Sequence, residues 1–155
     1  MTLLNTSGQV MTVRSRRFIY HDAQSLVGKP LAGNGECVTL VQKYLPAIGH
    51  TTTWKAGARV VELGNNDIQI GTVIGTMEDG KWPGKEHNNH VGIFGGVNSR
   101  SVTTGRMLSF VLVEQYRAHG VTKIQARVIY SKGKSVNERY IDPSNNAEAF
   151  FVIEK

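Results

Sequence analysis

The only cysteine of the chain, Cys37, lies in the stretch GNGECVTLVQKYL, residues 33–45, behind two glycines and at the start of what reads as a helix. A thiol in the first turn of a helix faces unpaired backbone amides and the positive end of the helix dipole. Both favour the thiolate, which is the nucleophilic form. With Asn34 or Gly35 as cap, Cys37 falls in that turn. The glycines would then keep the approach to the sulfur open and let backbone amides face a developing oxyanion. On this stretch alone a packing role serves Cys37 equally well, because free cysteines are commonly small buried hydrophobes.

A thiol nucleophile needs a base, and the chain has five histidines. His21, His50 and His119 lie beside turns and carry no supporting pattern. The informative pair is in GKEHNNHVGIFGG, where His87 sits in a polar loop and His90 opens an apolar strand that can present its ring to a neighbouring helix end. The spacing of His87 and His90 raises a metal site, but zinc needs a closed set of N, S or O ligands and Cys37 has no second cysteine beside it. No metal and no cofactor are expected. A catalytic imidazole is usually oriented by a third group. SFVLVEQYRA ends the next apolar run with Glu114 and Gln115, and since strand residues alternate faces, only one of them can look towards His90.

The elements that must hold these groups follow from the pattern of apolar residues. HDAQSLVGKPL predicts a short helix with Asp22 as cap and Gly28 with Pro30 as stop. A longer helix is predicted from about Glu36 to Leu45, with Cys37, Val41 and Tyr44 on one face and Pro46 ending it. Strands are predicted in IQIGTVIGTM (68–77), HVGIF, MLSFVLVEQY, KIQARVIY and AFFVIE, with GGVNSRSVTTGR among the connections. Helices first and strands after read as α+β, with N-terminal helices packed on one antiparallel sheet. Residues 1–19 are expected as an arm or edge strand, and 20–155 as a single domain.

The 155 residues suffice for one sizeable core, and 40% hydrophobic with 19% charged residues is a globular profile. A net charge of +6 favours anionic partners. The basic residues are scattered, only Arg14, Arg16 and Arg17 cluster, and no recognition helix or aromatic RNA-binding signature is present, so nucleic acid is not expected as a partner. One cysteine excludes an intrachain disulfide. The first residues lack the apolar core of a secretory signal, and no stretch approaches the ~20 apolar residues of a membrane span, so stable membrane insertion is not expected.

GECVTLVQ on a helix, HVGIF opening a strand and VLVEQY ending the next resemble the CHAP and NlpC-type papain-like amidases that cut peptidoglycan stems. A closer similarity runs through YHDAQSLVGKPLAGNGECVTLVQKY, TTTWKAGARV, IQIGTVIGTM with EDGKWPG, NNHVGIF and EQY. It is to the small BPSL-type amidase group related to type VI secretion amidase effectors, and it spans about Tyr20 to Tyr130. The resemblance implies a papain-like fold, Cys37 as nucleophile and His90 as general base and acid. CHAP-type enzymes support the imidazole with a Glu and, two residues on, an Asn. Glu114 matches the Glu while Tyr116 stands at the Asn position, so Gln115 remains the alternative third residue. Asn34 and backbone amides would replace the oxyanion-side Gln of papain. Tyr20, Trp54 and Trp82 are the candidates for lining the substrate groove.

The implied function is a cysteine amidase or endopeptidase acting on peptidoglycan stem peptides, an antibacterial secreted effector or lysin. It would be made in the bacterial cytoplasm without a signal peptide and exported to the periplasm or cell wall of a target cell. A cognate immunity protein would plug the cleft in the producer. Two other readings use the same residues: a deamidase or transglutaminase-like toxin acting on proteins, and a non-catalytic wall-binding module.

Overall fold

Paired apolar residues mark the strands that build the centre of the molecule: Val73 and Ile74, Ile93 and Phe94, Leu112 and Val113, Val152 and Ile153 are all fully or almost fully buried. Neighbours along a strand point to opposite faces, so a buried pair means that both faces of the sheet are covered. One face packs Val73, Ile93, Val113 and Ile153 against Leu40, Val41 and Leu26. The other packs Ile74, Phe94, Leu112 and Val152 with Phe110, Phe150, Val60 and Ala147. Double-sided burial is why these strands read as continuous apolar runs and not as alternating ones.

The computed structural model of the chain describes residues 2–4, 10–12, 17–134 and 139–155. β1 (Thr2–Leu4) and β2 (Val10–Thr12) form a separate antiparallel pair, within the segment expected as an arm or one edge strand. Arg14 and Arg16 of the basic cluster lie outside the described residues. The main sheet comprises β3 (Lys55–Arg59), β4 (Val73–Thr76), β5 (Val91–Arg100), β6 (Met107–Glu114), β7 (Gln125–Tyr130) and β8 (Phe150–Glu154). Its order is β3-β8-β4-β5-β6-β7, with every neighbouring pair antiparallel. Among the described residues there is a single α-helix, α1 (Cys37–Tyr44), so the fold is α+β with one helix against one six-stranded antiparallel sheet.

Three expectations are corrected. The first N-terminal helix is one 3₁₀ turn, Ala23–Leu26, and Asp22 makes no side-chain cap. The strand placed at 68–77 begins only at Val73, because Thr72 turns back, its amide and hydroxyl both donating to Gln69 O. GGVNSR is not a connection. β5 runs on through it to Arg100 with bulges at Gly96 and Ser99, and the turn to β6 is confined to 101–106, closed by Ser101 N–H donating to Arg106 O. The edge strand β3 was missed because KAGAR has no apolar alternation and pairs with β8 across a bulge.

α1 follows from Cys37, Leu40 and Val41 at the helical spacing of a buried stripe, with Pro46 past its end. Trp54, 2% exposed, underpins it by donating from Nε1 to Ile48 O at 3.0 Å. At Gly92 β5 comes so close to β6 that a Cβ would lie 2.7 Å from Val113 O and 2.8 Å from Leu112 Cδ1. Gly92→Ala is therefore expected to cost about 1–3 kcal/mol of stability through overpacking. Because His90 immediately precedes β5 and Glu114 ends β6, the two strands being pushed apart, it should also lower turnover per folded molecule by about 10–10²-fold. Urea unfolding and a rate assay on the same preparation check both.

Candidate active site

Cys37 begins α1 at the floor of a cleft of about 750 Å³, and His90, Glu114, Trp82 and Tyr116 share its walls. The loop that delivers Cys37 is folded by its glycines: Gly33 and Gly35 have φ of 54° and 85°, left-handed values that a side chain disfavours. They do not line the cleft but pack outward, Gly33 against Thr39 and Gly35 against Arg117. The residue preceding the helix is Glu36, whose side chain makes no cap. Instead Asn34 Oδ1 accepts from Glu36 N–H at 2.9 Å and from the Thr39 hydroxyl at 3.1 Å.

His90 is fixed by both its backbone and its ring. Its N–H donates to Thr76 Oγ1 at 2.9 Å, and Thr76 N–H donates to His90 O at 2.9 Å, locking the strand mouth to the end of β4. Its ring Nε2 lies 2.7 Å from Glu114 Oε1. Cys37, which lines the same cleft, is the second side chain that favours the charged ring. Burial alone would depress the imidazole's pKa, but the interactions with Cys37 and Glu114 overcome it and raise the value from 6.5 to about 9. The ring is thus protonated at neutral pH.

Glu114, 3% exposed, has every acceptor direction filled. Besides His90, Oε1 accepts from Arg127 Nη2 at 2.9 Å, and Oε2 accepts from Arg127 Nε at 2.8 Å and Gln125 Nε2 at 2.7 Å. Burial raises its pKa, but the donors from His90 and Arg127 prevail and hold it down to about 2. Arg127 is itself held by Asn145 Oδ1 at 2.6 Å. The register Glu114↔Gln125 and Leu112↔Arg127 explains this set, since partners and second neighbours on one face of adjacent strands converge.

The linkage has a definite sign. The raised His90 pKa contributes stability that is full below 6.5 and is lost as pH rises through about 9. The lowered Glu114 pKa contributes stability that is full above 4.5 and is lost as pH falls towards about 2. The pair therefore stabilises the fold most between those limits. The difference in unfolding free energy between wild type and His90→Phe, from urea melts at a series of pH values, should peak in this window and shrink on both sides. A difference independent of pH would contradict the assignment.

The groups expected from the sequence separate into two sets. Cys37, His90, Glu114 and Trp82 come together in the cleft, and His87 lies on its rim, exposed. Gln115 is turned away from His90 into the protein, with Oε1 accepting from Ala32 N–H at 2.6 Å and Nε2 donating to Ala32 O and Glu36 O at 2.9 and 2.8 Å. Tyr20, Asn34 and Trp54 are not among the cleft-lining residues. Tyr20 stacks edge-on to Tyr44 at 5.3 Å, and Trp54 backs Trp82 edge-on at 5.3 Å, supporting the wall from behind. Arg127, Gln125, Asn145 and Thr76 were not singled out from the sequence. The polar alternation of Gln125 and Arg127 in β7 was the available signal for two of them. Among the described residues no three His, Cys, Asp or Glu side chains converge as a metal site, and no helix is long and apolar enough to cross a membrane.

The family described as domesticated amidase effector 2 matches residues 9–153. A type VI secretion amidase effector 2 protein of Salmonella typhi is 33% identical over 138 residues, covering 88% of this chain and 98% of that protein. The solved structure of type 6 secretion amidase effector 2 (Tae2) superposes with a TM-score of 0.75 at 30% identity, covering 88% of this chain and 94% of that one. With a match across nearly its whole length in family, relative and fold, the chain belongs to the domesticated amidase effector 2 family.

Proposed function

We propose that this protein is a papain-like cysteine amidase or endopeptidase of NlpC/CHAP type that hydrolyses an amide bond in peptidoglycan stem peptides. The observation that carries the reading is that Cys37 shares one cleft with His90, whose ring is held by Glu114 and, through it, Arg127. Membership of an amidase effector family supports the reaction class. The net charge of +6 suits an anionic wall polymer.

In this mechanism a His90 protonated at neutral pH pairs with the Cys37 thiolate, which attacks the scissile carbonyl. The backbone N–H groups of Cys37 and Val38, first in the helix, have no carbonyl one turn back and receive the oxyanion. His90 protonates the leaving amine, then takes a proton from the water that releases the acyl-enzyme. Glu114 keeps the ring oriented and the imidazolium stabilised throughout. Trp82 and Tyr116 offer apolar wall to the stem peptide. Like the secretion effectors it resembles, the protein would act in the wall of a target cell, and a producing cell would need an inhibitory partner seated in the cleft.

The test is a digest of Gram-negative sacculi and isolated muropeptides, read by mass spectrometry. Stem peptides gaining one water at a single amide are the expected products. Intact muropeptides, together with release of ammonia from protein glutamine, would transfer the chemistry to protein substrates.

A further inference from the structure

Gln115 takes no part in holding His90, yet it is fully buried and its whole amide is spent on the loop that carries Cys37. The amide pairs with both Ala32 N–H and Ala32 O, as a neighbouring strand would, and its second N–H reaches Glu36 O, the last carbonyl before the helix. Within the loop itself Asn34 Oδ1 accepts from Glu36 N–H and Gly35 N–H donates to Ala32 O, but Gln115 is the side chain that ties both Ala32 and Glu36 to the sheet. Two of its residues are glycines at positive φ, and the helix has no side-chain cap from Glu36. Thr39 joins the clamp, its hydroxyl 2.9 Å from Glu36 O, 3.1 Å from Ala32 O and 3.3 Å from Gln115 Nε2. Arg117 N–H adds a bond to Gly35 O at 3.1 Å.

Glu114 and Gln115 are consecutive, and chain alternation turns them to opposite sides. One holds the ring of the base, the other holds the start of the nucleophile's helix. We infer that Gln115 is a positioning residue: by clamping Ala32 and Glu36 it fixes where α1 begins, and hence where the sulfur of Cys37 stands relative to the ring held by Glu114. The end of β6 is then a two-sided gauge that couples nucleophile and base through one rigid peptide. This role rests on the thiol mechanism proposed above.

Gln115→Met keeps the shape of the side chain, leaves Ala32 N–H without its acceptor, and takes one donor each from Ala32 O and Glu36 O, which keep the Thr39 hydroxyl. Gln115→Glu keeps the acceptor for Ala32 N–H but, when ionised, turns an oxygen towards two carbonyls; protonated, it can donate again. Thr39→Val removes only the hydroxyl. The experiment measures kcat and KM for muropeptide hydrolysis, and the rate of Cys37 alkylation by iodoacetamide, for these variants across pH. Rates are counted per folded molecule, taken from the amplitude of the urea unfolding transition, so unfolded material is excluded.

For Gln115→Met, kcat should fall by about 10²-fold with KM within about twofold, and alkylation should slow with it. For Gln115→Glu the loss should diminish as the pH is lowered, a recovery that general destabilisation would not produce. Thr39→Val should lose about tenfold in kcat. If Gln115→Met does not fold, unchanged kcat and alkylation rates in both other variants overturn the proposal. If it folds, a wild-type kcat per folded molecule does so alone. Hydrolysis retained by Cys37→Ala would instead bring down the thiol mechanism, and the positioning role with it.

Discussion

Cys37→Ala is expected to give a folded protein that has lost stem-peptide hydrolysis by ~10⁴-fold or more, the scale seen when the nucleophile of a catalytic unit is removed. The fold should survive because the substitution deletes one sulfur at the edge of a core otherwise made by Leu40, Val41, Ile93 and Val113. A change in unfolding free energy of about 1 kcal/mol or less is anticipated for so small a deletion. The same variant carries a second, independent readout. The Cys37 side chain is one of the two groups that raise the His90 pKa to about 9. Removing it leaves burial opposed by Glu114 alone, so the imidazole should titrate at a lower pH, as followed by NMR of the ring protons. Full turnover in this variant would place the nucleophile elsewhere. A lost reaction with an unmoved imidazole titration would show that Cys37 and His90 are not partnered in solution.

The residues proposed as nucleophile and base can be singled out in the sequence because each sits at a punctuated boundary. Cys37 follows GNGE and opens an apolar helical stripe, and His90 closes a polar loop and opens VGIF. The third position was legible only as a choice. Alternation says that Glu114 and Gln115 face apart, but which one faces the helix end depends on the twist of β6 and on how β5 and β7 flank it, and these are tertiary facts. The structure turns Glu114 to His90 and Gln115 to Ala32.

Arg127 stayed hidden for a related reason. An arginine in a strand reads as a solvated side chain until the register puts it diagonally across from Glu114, two residues past the partner Gln125 on the neighbouring strand. Trp54 shows the opposite limit. Its type suggested a groove, but a tryptophan that donates to Ile48 O and is 2% exposed belongs to the core, and only its neighbour Trp82 reaches the cleft. The fold class followed from element order, whereas the lengths of β4 and β5 did not, because a hydroxyl-capped turn at Thr72 and the bulges at Gly96 and Ser99 override local propensity.

Glu114→Gln is the substitution expected to have the next largest effect, and its direction follows from the hydrogen-bond inventory. Every donor around the carboxylate points inward: His90 Nε2 and Arg127 Nη2 to one oxygen, Gln125 Nε2 and Arg127 Nε to the other. A glutamine must place its NH₂ at one of these two positions, donor against donor. If it faces Arg127 Nε and Gln125, the arginine is pushed away; if it faces His90, the ring loses its anchor. Both outcomes leave His90 poorly oriented, and kcat should fall by about 10²–10⁴-fold. The lost negative charge also removes one of the causes that raise the His90 pKa from 6.5 to about 9. The reactive state needs His90 protonated beside the thiolate, so the basic limb of the pH–rate profile should move to lower pH in the variant. A rate loss with an unshifted basic limb would mean that Glu114 only orients the ring. An unchanged rate and an unchanged limb would remove it from the mechanism. The reverse shift, to higher pH, would require the neutral amide to stabilise the imidazolium better than the carboxylate does, which the loss of the negative charge does not permit.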